Sequence, residues 1–141
     1  MKIALLTIIC ACLLLKSYSQ KSLDTRVVVT VSDTTNLYEK TRLAFVNSGF
    51  MVVDNRRQDT LTMYPYNIKS TGYITAFASI NNNQVVIWGF LGNANNNLLG
   101  ITVAPTKNQY QKIYYYKGDK YWKKLVSVAN LIGGTISYGK M

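Results

Sequence analysis

The residue types in this chain exclude the commonest forms of side-chain catalysis. The sequence contains no histidine, and its two cysteines, Cys10 and Cys12, both lie in an apolar N-terminal stretch. Histidine-cysteine zinc sites, Ser-His-Asp triads and Cys-His nucleophile pairs therefore have no residues to form them in the rest of the chain. The glycine-rich motifs that bind nucleotide phosphates do not occur either. We expect a protein that is not an enzyme and that needs no metal or other cofactor.

The six acidic residues are the remaining candidates for acid and base chemistry. Asp54 and Asp59 flank one predicted hairpin loop and could face each other at the spacing of a catalytic carboxylate pair. Arg56 and Arg57 lie between them, however, and Asp side chains commonly stabilise turns through hydrogen bonds to the backbone. Turn formation and charge pairing explain the two acids more simply than catalysis does.

Residues 110–124 form the first candidate binding site, because aromatic residues are interspersed there with lysines. The segment holds five lysines and one acid. A surface of this kind can attract anions and can stack on sugar rings or bases through its aromatic faces. The lysines expected to carry the charge are Lys117, Lys120, Lys123 and Lys124. The alternative, which helical periodicity favours, places Tyr121 and Trp122 in the core and leaves the lysines as the solvated half of a helix.

The second candidate site is one face of a predicted sheet. Alternation along residues 73–80 places every second residue toward the helices and the residues between them on the opposite face. The next strand can add its own aromatic residues there, so the expected ligand-binding residues are Tyr73, Phe77, Trp88 and Phe90. An open aromatic face is a platform for a ligand or partner. The same face could instead be covered by residues 92–109 or form a homodimer, and periodicity does not choose among the three.

Hydrophobic periodicity also predicts the elements that would position these sites. A β-branched run at residues 27–31 suits a buried strand. A helix should follow, with Asn36 and Glu39 forming its N-terminal cap and Gly49 ending it. The apolar face of this helix is expected to comprise Leu37, Tyr38, Thr41, Ala44 and Phe45.

Alternating strands are then predicted over residues 50–54, 61–63, 73–80 and 85–91, joined by short loops. Residues 98–104 are expected to form another strand, and residues 110–117 are a weaker candidate. The closing helix should begin after Asp119 and end at Gly133 and Gly134, with a final strand at residues 135–138.

This order of elements predicts an α+β fold. An antiparallel sheet of about five strands, with two helices on one face, gives a two-layer sandwich in the order β-α-β-β-β-(β)-α. The pattern of Tyr38, residues 45–54, residues 61–63 and a closing helix with Trp122 resembles a group of small exported domains of unknown function. Those domains are described as TATA-binding-protein-like or helix-grip folds, and the resemblance covers residues 26–138. It implies the fold and brings no catalytic residues.

The N-terminus has the pattern of a secretory signal peptide. Met1 and Lys2 precede an apolar run at residues 3–15, and a small-residue cleavage site follows, ending at Ser19. The run is shorter than the ~20 residues that a membrane-crossing helix needs. We therefore expect a signal peptide at residues 1–19, a single α+β domain at residues 20–141, and a periplasmic or secreted protein.

Cys10 and Cys12 leave open a second interpretation, in which one of them carries a lipid. Bacterial lipoproteins are cut just before such a cysteine, which is normally followed by a polar tether. Here three leucines follow Cys12, and the bulky Ile9 precedes Cys10. Cleavage after Ser19 is therefore favoured over lipid anchoring, and the mature chain would then contain no cysteine for a disulfide.

The charge of the chain favours anionic partners. A formal charge of +10 falls to +8 when Lys2 and Lys16 leave with the signal peptide. This charge would attract an anionic envelope component, such as a lipid headgroup or a glycan, or an acidic protein, whereas nothing in the sequence prompts nucleic acid. It could also serve solubility alone. The leading hypothesis is a non-catalytic binding or assembly module of the cell envelope. An inhibitor or immunity protein that inserts its loop at residues 93–97 is the second hypothesis.

Overall fold

The structure, a computed structural model, describes residues 20–21, 23–53, 57, 59–68, 72–92, 111–116 and 118–141. The elements in these ranges are, in chain order, β1 (Arg26–Thr30), α1 (Leu37–Asn47), β2 (Thr60–Thr62), β3 (Tyr66–Asn67), β4 (Tyr73–Asn81), β5 (Gln84–Gly92), β6 (Gln111–Lys112), α2 (Lys120–Ile132) and β7 (Thr135–Gly139). The first strand, the two helices, the long central strands and the last strand all lie where periodicity predicts them.

The described strands pair antiparallel in one sheet whose central path is β2-β4-β5-β1-β7. β4 and β5 form a long hairpin that pairs Tyr73 with Gly92 at one end and Asn81 with Gln84 at the other. The other side of β5 is shared by two strands. β1 pairs with residues 84–87 of β5, and β6 pairs with Phe90 and Leu91. This sharing places β1 and β6 one after the other along the same side of β5.

Both helices cover one face of the sheet, and the core lies between the two layers. The strand residues that point toward the helices are completely or almost completely buried: Val27, Val29, Leu61, Ile74, Ala76, Ala78, Val85 and Ile87. Phe45 of α1 and Leu125 of α2 belong to the same core cluster. The predicted α+β two-layer sandwich is confirmed, with seven strands among the described residues in place of about five. β3 and β6 have two residues each, too few to produce a periodic pattern.

The closing helix α2 begins and ends as predicted. The carboxylate of Asp119 accepts the backbone N–H groups of Tyr121 and Trp122, both at 3.1 Å. Gly133 follows the last turn with a positive φ of 76°. Trp122 is only 2% exposed, so the interpretation of this residue as part of the core is confirmed.

The predicted cap of α1 is wrong. The Asn36 side chain makes no capping hydrogen bond, and its backbone is left-handed, with a φ of 52°. Asparagine tolerates this conformation, so Asn36 contributes to the turn before α1 through its backbone conformation and not through a side-chain cap. Glu39 does not reach back to the cap either, because it pairs with Arg42 at 2.6 Å.

The predicted strand at residues 50–54 is also wrong over its described part. Phe50 donates its N–H to the carbonyl of Phe45 at 3.0 Å, which ties the start of this segment to the end of α1. Its side chain then turns into the core. Only one isolated bridge remains, between Val52 and Met63. Around this bridge Val53 donates its N–H to Thr62 and Tyr64 donates its N–H to Met51, both at 2.8 Å. The segment is held by the helix end, by its core residue and by this bridge, and not by a continuous ladder.

Several predicted features lie outside the described residues. They are Asp54, Lys117, the loop at residues 93–97, the strand at residues 98–104, and nearly all of the segment at residues 92–109 that could cover the sheet.

Candidate functional site

Three aromatic side chains form a cluster on the sheet face that points away from the helices, which we call the outer face. Phe77 of β4 and Trp88 of β5 are cross-strand partners. Their rings stack with centroids 5.8 Å apart and planes inclined by 14°. Phe90 meets Phe77 edge-on at 5.8 Å and 83°. This aromatic cluster is partly exposed. Its three members are not part of the hydrophobic core formed by the described residues, and they do not pack against that core. Alternation in the sequence therefore places the three residues correctly, while their binding role stays a prediction.

Two cations lie beside the aromatic cluster, on the side of β5 away from β4. Lys112 of β6 pairs with Phe90, so the two side chains share the outer face. β1 pairs Val27 with Ile87, and one further step along this antiparallel register brings Arg26 opposite Trp88. None of the residues in the seven described strands is acidic. The outer face of the described sheet is therefore aromatic and positively charged.

Two buried polar atoms of outer-face residues have no hydrogen-bond partner among the described residues. They are Nε of Arg26, which lies next to Gly139 of β7, and Oγ1 of Thr75, the cross-strand partner of Phe90. A buried polar group without a partner costs about 1–3 kcal/mol, so native proteins usually satisfy it. These two atoms have no such partner within the described part of the chain.

Tyr73 also lies on the outer face, at the end of the β4-β5 hairpin, where it pairs with Gly92. A side chain at position 92 would collide with the Tyr73 ring, which explains why glycine occupies that position. The four aromatic residues predicted for this face therefore all lie on it.

The predicted lysines of α2 lie on the helical side of the sheet. Lys124 is half-buried, with its Nζ 4.7 Å from the ring centroid of Tyr66 and 5.8 Å from that of Phe50. Lys120 lies over the ring of Tyr121, with its Nζ 5.4 Å from the centroid. Because α2 packs on the face opposite the aromatic cluster, its lysines do not lie on the sheet face that carries the cluster.

A cavity of about 630 Å³ opens at the start of α2. Its lining combines apolar and aromatic residues with two lysines: Leu91, Ile113, Tyr114, Tyr116, Tyr121, Lys112 and Lys120. A second cavity of about 540 Å³ adjoins it and includes Trp122 and Lys123. The sequence marks this basic aromatic segment as a site, but it does not show that Tyr114 and Tyr116 line a cavity. The chain between β6 and α2 is irregular, so it has no sequence periodicity from which the cavity could be predicted.

Three acidic side chains are engaged in local structure. Asp119 caps α2, and the hydrogen bond from Arg42 lowers the pKa of Glu39. The backbone N–H of Thr35 likewise lowers the pKa of Asp33. Over the described ranges, no group of three or more His, Cys, Asp or Glu residues could hold a metal ion. None of the helices in those ranges combines the length and the apolar character needed to cross a membrane.

Comparison with known proteins gives no family for this chain. No protein-family model matches the sequence, and no curated protein is significantly similar to it. A functional proposal therefore rests on the geometry and charge of the candidate surfaces.

Proposed function

We propose that this chain is an exported, non-catalytic binding or assembly module of the cell envelope, and that its outer face docks an acidic protein partner. The observation that supports this proposal is the aromatic cluster of Phe77, Trp88 and Phe90 outside the core, beside Arg26 and Lys112. Tryptophan, tyrosine and arginine dominate the binding free energy at protein interfaces. Two cations, on strands that carry no acid, complement a negatively charged partner.

The ring geometry favours a protein surface over a sugar or a base. A ligand that stacks needs open ring faces, and Phe77 and Trp88 have fewer of them because each turns one face toward the other. Phe90 is perpendicular to Phe77, so the cluster presents packed edges as well as faces. Mixed edges and faces of this kind suit the apolar and aromatic side chains of a protein partner. An acidic glycan or an anionic membrane is the competing occupant.

A photo-crosslinking residue placed on each side of the sheet would test this proposal in cells that express the full chain. Thr62 pairs with Phe77 and so borders the aromatic cluster. Leu43 is the control, because it is 45% exposed on α1. We expect a protein adduct from position 62 and none from position 43. Mass spectrometry should identify an acidic protein in the adduct, and Trp88→Ala should abolish the adduct.

Three results would overturn the proposal. The first is the absence of any protein adduct at position 62. The second is an adduct that forms equally at both positions, which would indicate random collision. The third is an adduct that survives Trp88→Ala or that contains a basic protein, because the aromatic cluster and its charge would then not select the partner.

A further inference from the structure

The cavity at the start of α2 is a second candidate site, and Lys112 is the one described residue that it shares with the docking surface. Among the described residues, neither Trp88 nor Arg26 lines it. Its volume of about 630 Å³ falls within the roughly 300–1,000 Å³ typical of small-molecule sites. Leu91 and Ile113 contribute apolar surface, as such sites require.

Tyrosines give this cavity open ring surfaces. Tyr116 is 70% exposed and Tyr114 is 38% exposed, and both line the cavity. Within the described part of the chain, neither ring stacks on another aromatic ring. An exposed tyrosine offers an apolar ring face together with a hydroxyl group at its tip. The cavity can therefore pack against a flat ring and also form hydrogen bonds around it.

The net charge of the cavity is positive. Lys112 and Lys120 both line it, and Asp119 is the single acid among the described lining residues. The two carboxylate oxygens of Asp119 already accept N–H groups from the first turn of α2. This acid therefore caps the helix, and the positive charge of the cavity comes from Lys112 and from Lys120, whose Nζ lies over the Tyr121 ring.

We infer that this cavity binds a saccharide that carries a carboxylate, of the uronic acid class. The lysines pair with the carboxylate, the tyrosine rings pack against the sugar ring, and the tyrosine hydroxyls and the Gln111 amide bond its hydroxyl groups. A fatty acid is the competing ligand, because its alkyl chain would pack on the apolar part of the lining, but it carries no hydroxyl groups for the tyrosine hydroxyls and the Gln111 amide to bind. The inference concerns a different ligand from the protein docked on the outer face, and Lys112 borders both surfaces.

Calorimetric titration of the purified protein would test the ligand class with three probes. They are trigalacturonate, its uncharged methyl ester and decanoate. We expect trigalacturonate to bind and its methyl ester to bind about tenfold more weakly, because the ester loses its charge-assisted hydrogen bonds. Decanoate should not bind. Absence of trigalacturonate binding at millimolar concentration, equal affinity for the ester, or tighter binding of decanoate would each overturn the inference.

Matched variants would place the ligand in the cavity. Tyr116→Ala should weaken trigalacturonate binding about tenfold through loss of its ring contact, whereas Tyr64→Ala, at a tyrosine that is 51% exposed elsewhere, should leave it unchanged. Lys120→Gln should weaken it about threefold, and Lys40→Gln on α1 should not. Equal losses in a variant and its control would contradict the cavity as the site. Retained binding in Trp88→Ala would separate this result from the outer-face proposal.

Discussion

Trp88 and Trp122 have opposite environments in this fold. Trp122 is buried between Tyr115 and Tyr138 on the helical side of the sheet. Trp88 is partly exposed on the outer face and stacks on Phe77. Sequence periodicity distinguishes the two, because a helical period of 3.6 places Trp122 inward and a strand period of two places Trp88 outward.

Truncating each tryptophan should therefore have different costs. Trp122→Ala should lower the free energy of unfolding by about 3–5 kcal/mol, because it leaves a cavity in the core. Trp88→Ala should lower it by about 1 kcal/mol, the usual value of an aromatic pair. Urea denaturation of both variants would measure the difference. Equal costs would mean that Trp88 is also a core residue, which would remove the basis for docking on the outer face.

The lysines of α2 are not equivalent, although their spacing in the sequence suggests one charged surface. Lys124 is half-buried over Tyr66 and Phe50, and Lys123 is exposed. Lys124→Gln should lower the free energy of unfolding by about 1 kcal/mol through loss of its cation-π contacts. Lys123→Gln should change it by less than about 0.5 kcal/mol. Identical denaturation midpoints for the two variants would show that the Lys124 contacts contribute nothing.

The two helices of the fold begin in different ways, and only one of them is predictable from residue type. Both Asp119 and Asn36 are common capping residues. Asp119 caps α2 with its side chain, whereas Asn36 takes a left-handed backbone. The turn before α1 has its own hydrogen bonds, since Asp33 accepts the N–H of Thr35 at 2.9 Å and the carbonyl of Thr34 accepts the N–H of Leu37 at 3.2 Å. Residue preference alone does not predict which backbone conformation the residue before a helix adopts.

Glycine substitution should discriminate the two helix starts. Asn36→Gly should leave stability unchanged or raise it slightly, because glycine adopts a positive φ without strain. Asp119→Ala should lower the free energy of unfolding by about 1 kcal/mol through loss of the cap. Thermal denaturation followed by circular dichroism would measure both. A large loss of stability in Asn36→Gly would indicate that the Asn36 side chain does cap α1.

Strands of the sheet were predictable where they are long. β4 and β5 have nine residues each, and their alternation identifies them, while the β-branched run identifies β1. The two-residue strands β3 and β6 give no such signal. The position of Lys112 beside Phe90 could therefore not be predicted from the sequence, because it depends on the pairing of β6 with β5. The position of Arg26 opposite Trp88 could not be predicted for a similar reason, since it depends on the register of β1 against β5.

At the scale of the whole molecule, the absence of histidine should make stability insensitive to pH near neutrality. No side chain of ordinary pKa then titrates between about pH 5 and 8. Asp33 and Glu39 have lowered pKa values, so their stabilising interactions are present above the usual range near pH 4 and are lost as pH falls through the lowered values. Melting temperatures should be constant from about pH 5 to 8 and should decrease below about pH 4. A transition between pH 5 and 8 would contradict this expectation.

The separation of charge and aromatic residues between the two layers has a consequence for binding. The exposed Lys123 of α2 and the cations Arg26 and Lys112 lie on opposite sides of the sheet. A partner on the outer face would therefore meet Arg26 and not Lys123. Replacing either residue by glutamine removes one positive charge from the whole molecule, so the two variants differ only in which layer loses it.

The most direct measurement is the affinity of these two charge-matched variants for an acidic polypeptide, a random copolymer of Glu and Tyr, by fluorescence anisotropy. Binding to the unaltered protein should weaken as salt rises from about 0.1 M to 1 M, where the screening length falls from about 10 Å to 3 Å. Arg26→Gln should weaken binding about tenfold, as expected for a charged residue next to an interface aromatic, and Lys123→Gln less than about twofold. If Lys123→Gln weakens binding as much as Arg26→Gln does, the acidic polypeptide responds only to net charge or to α2, and the outer face is not the docking surface.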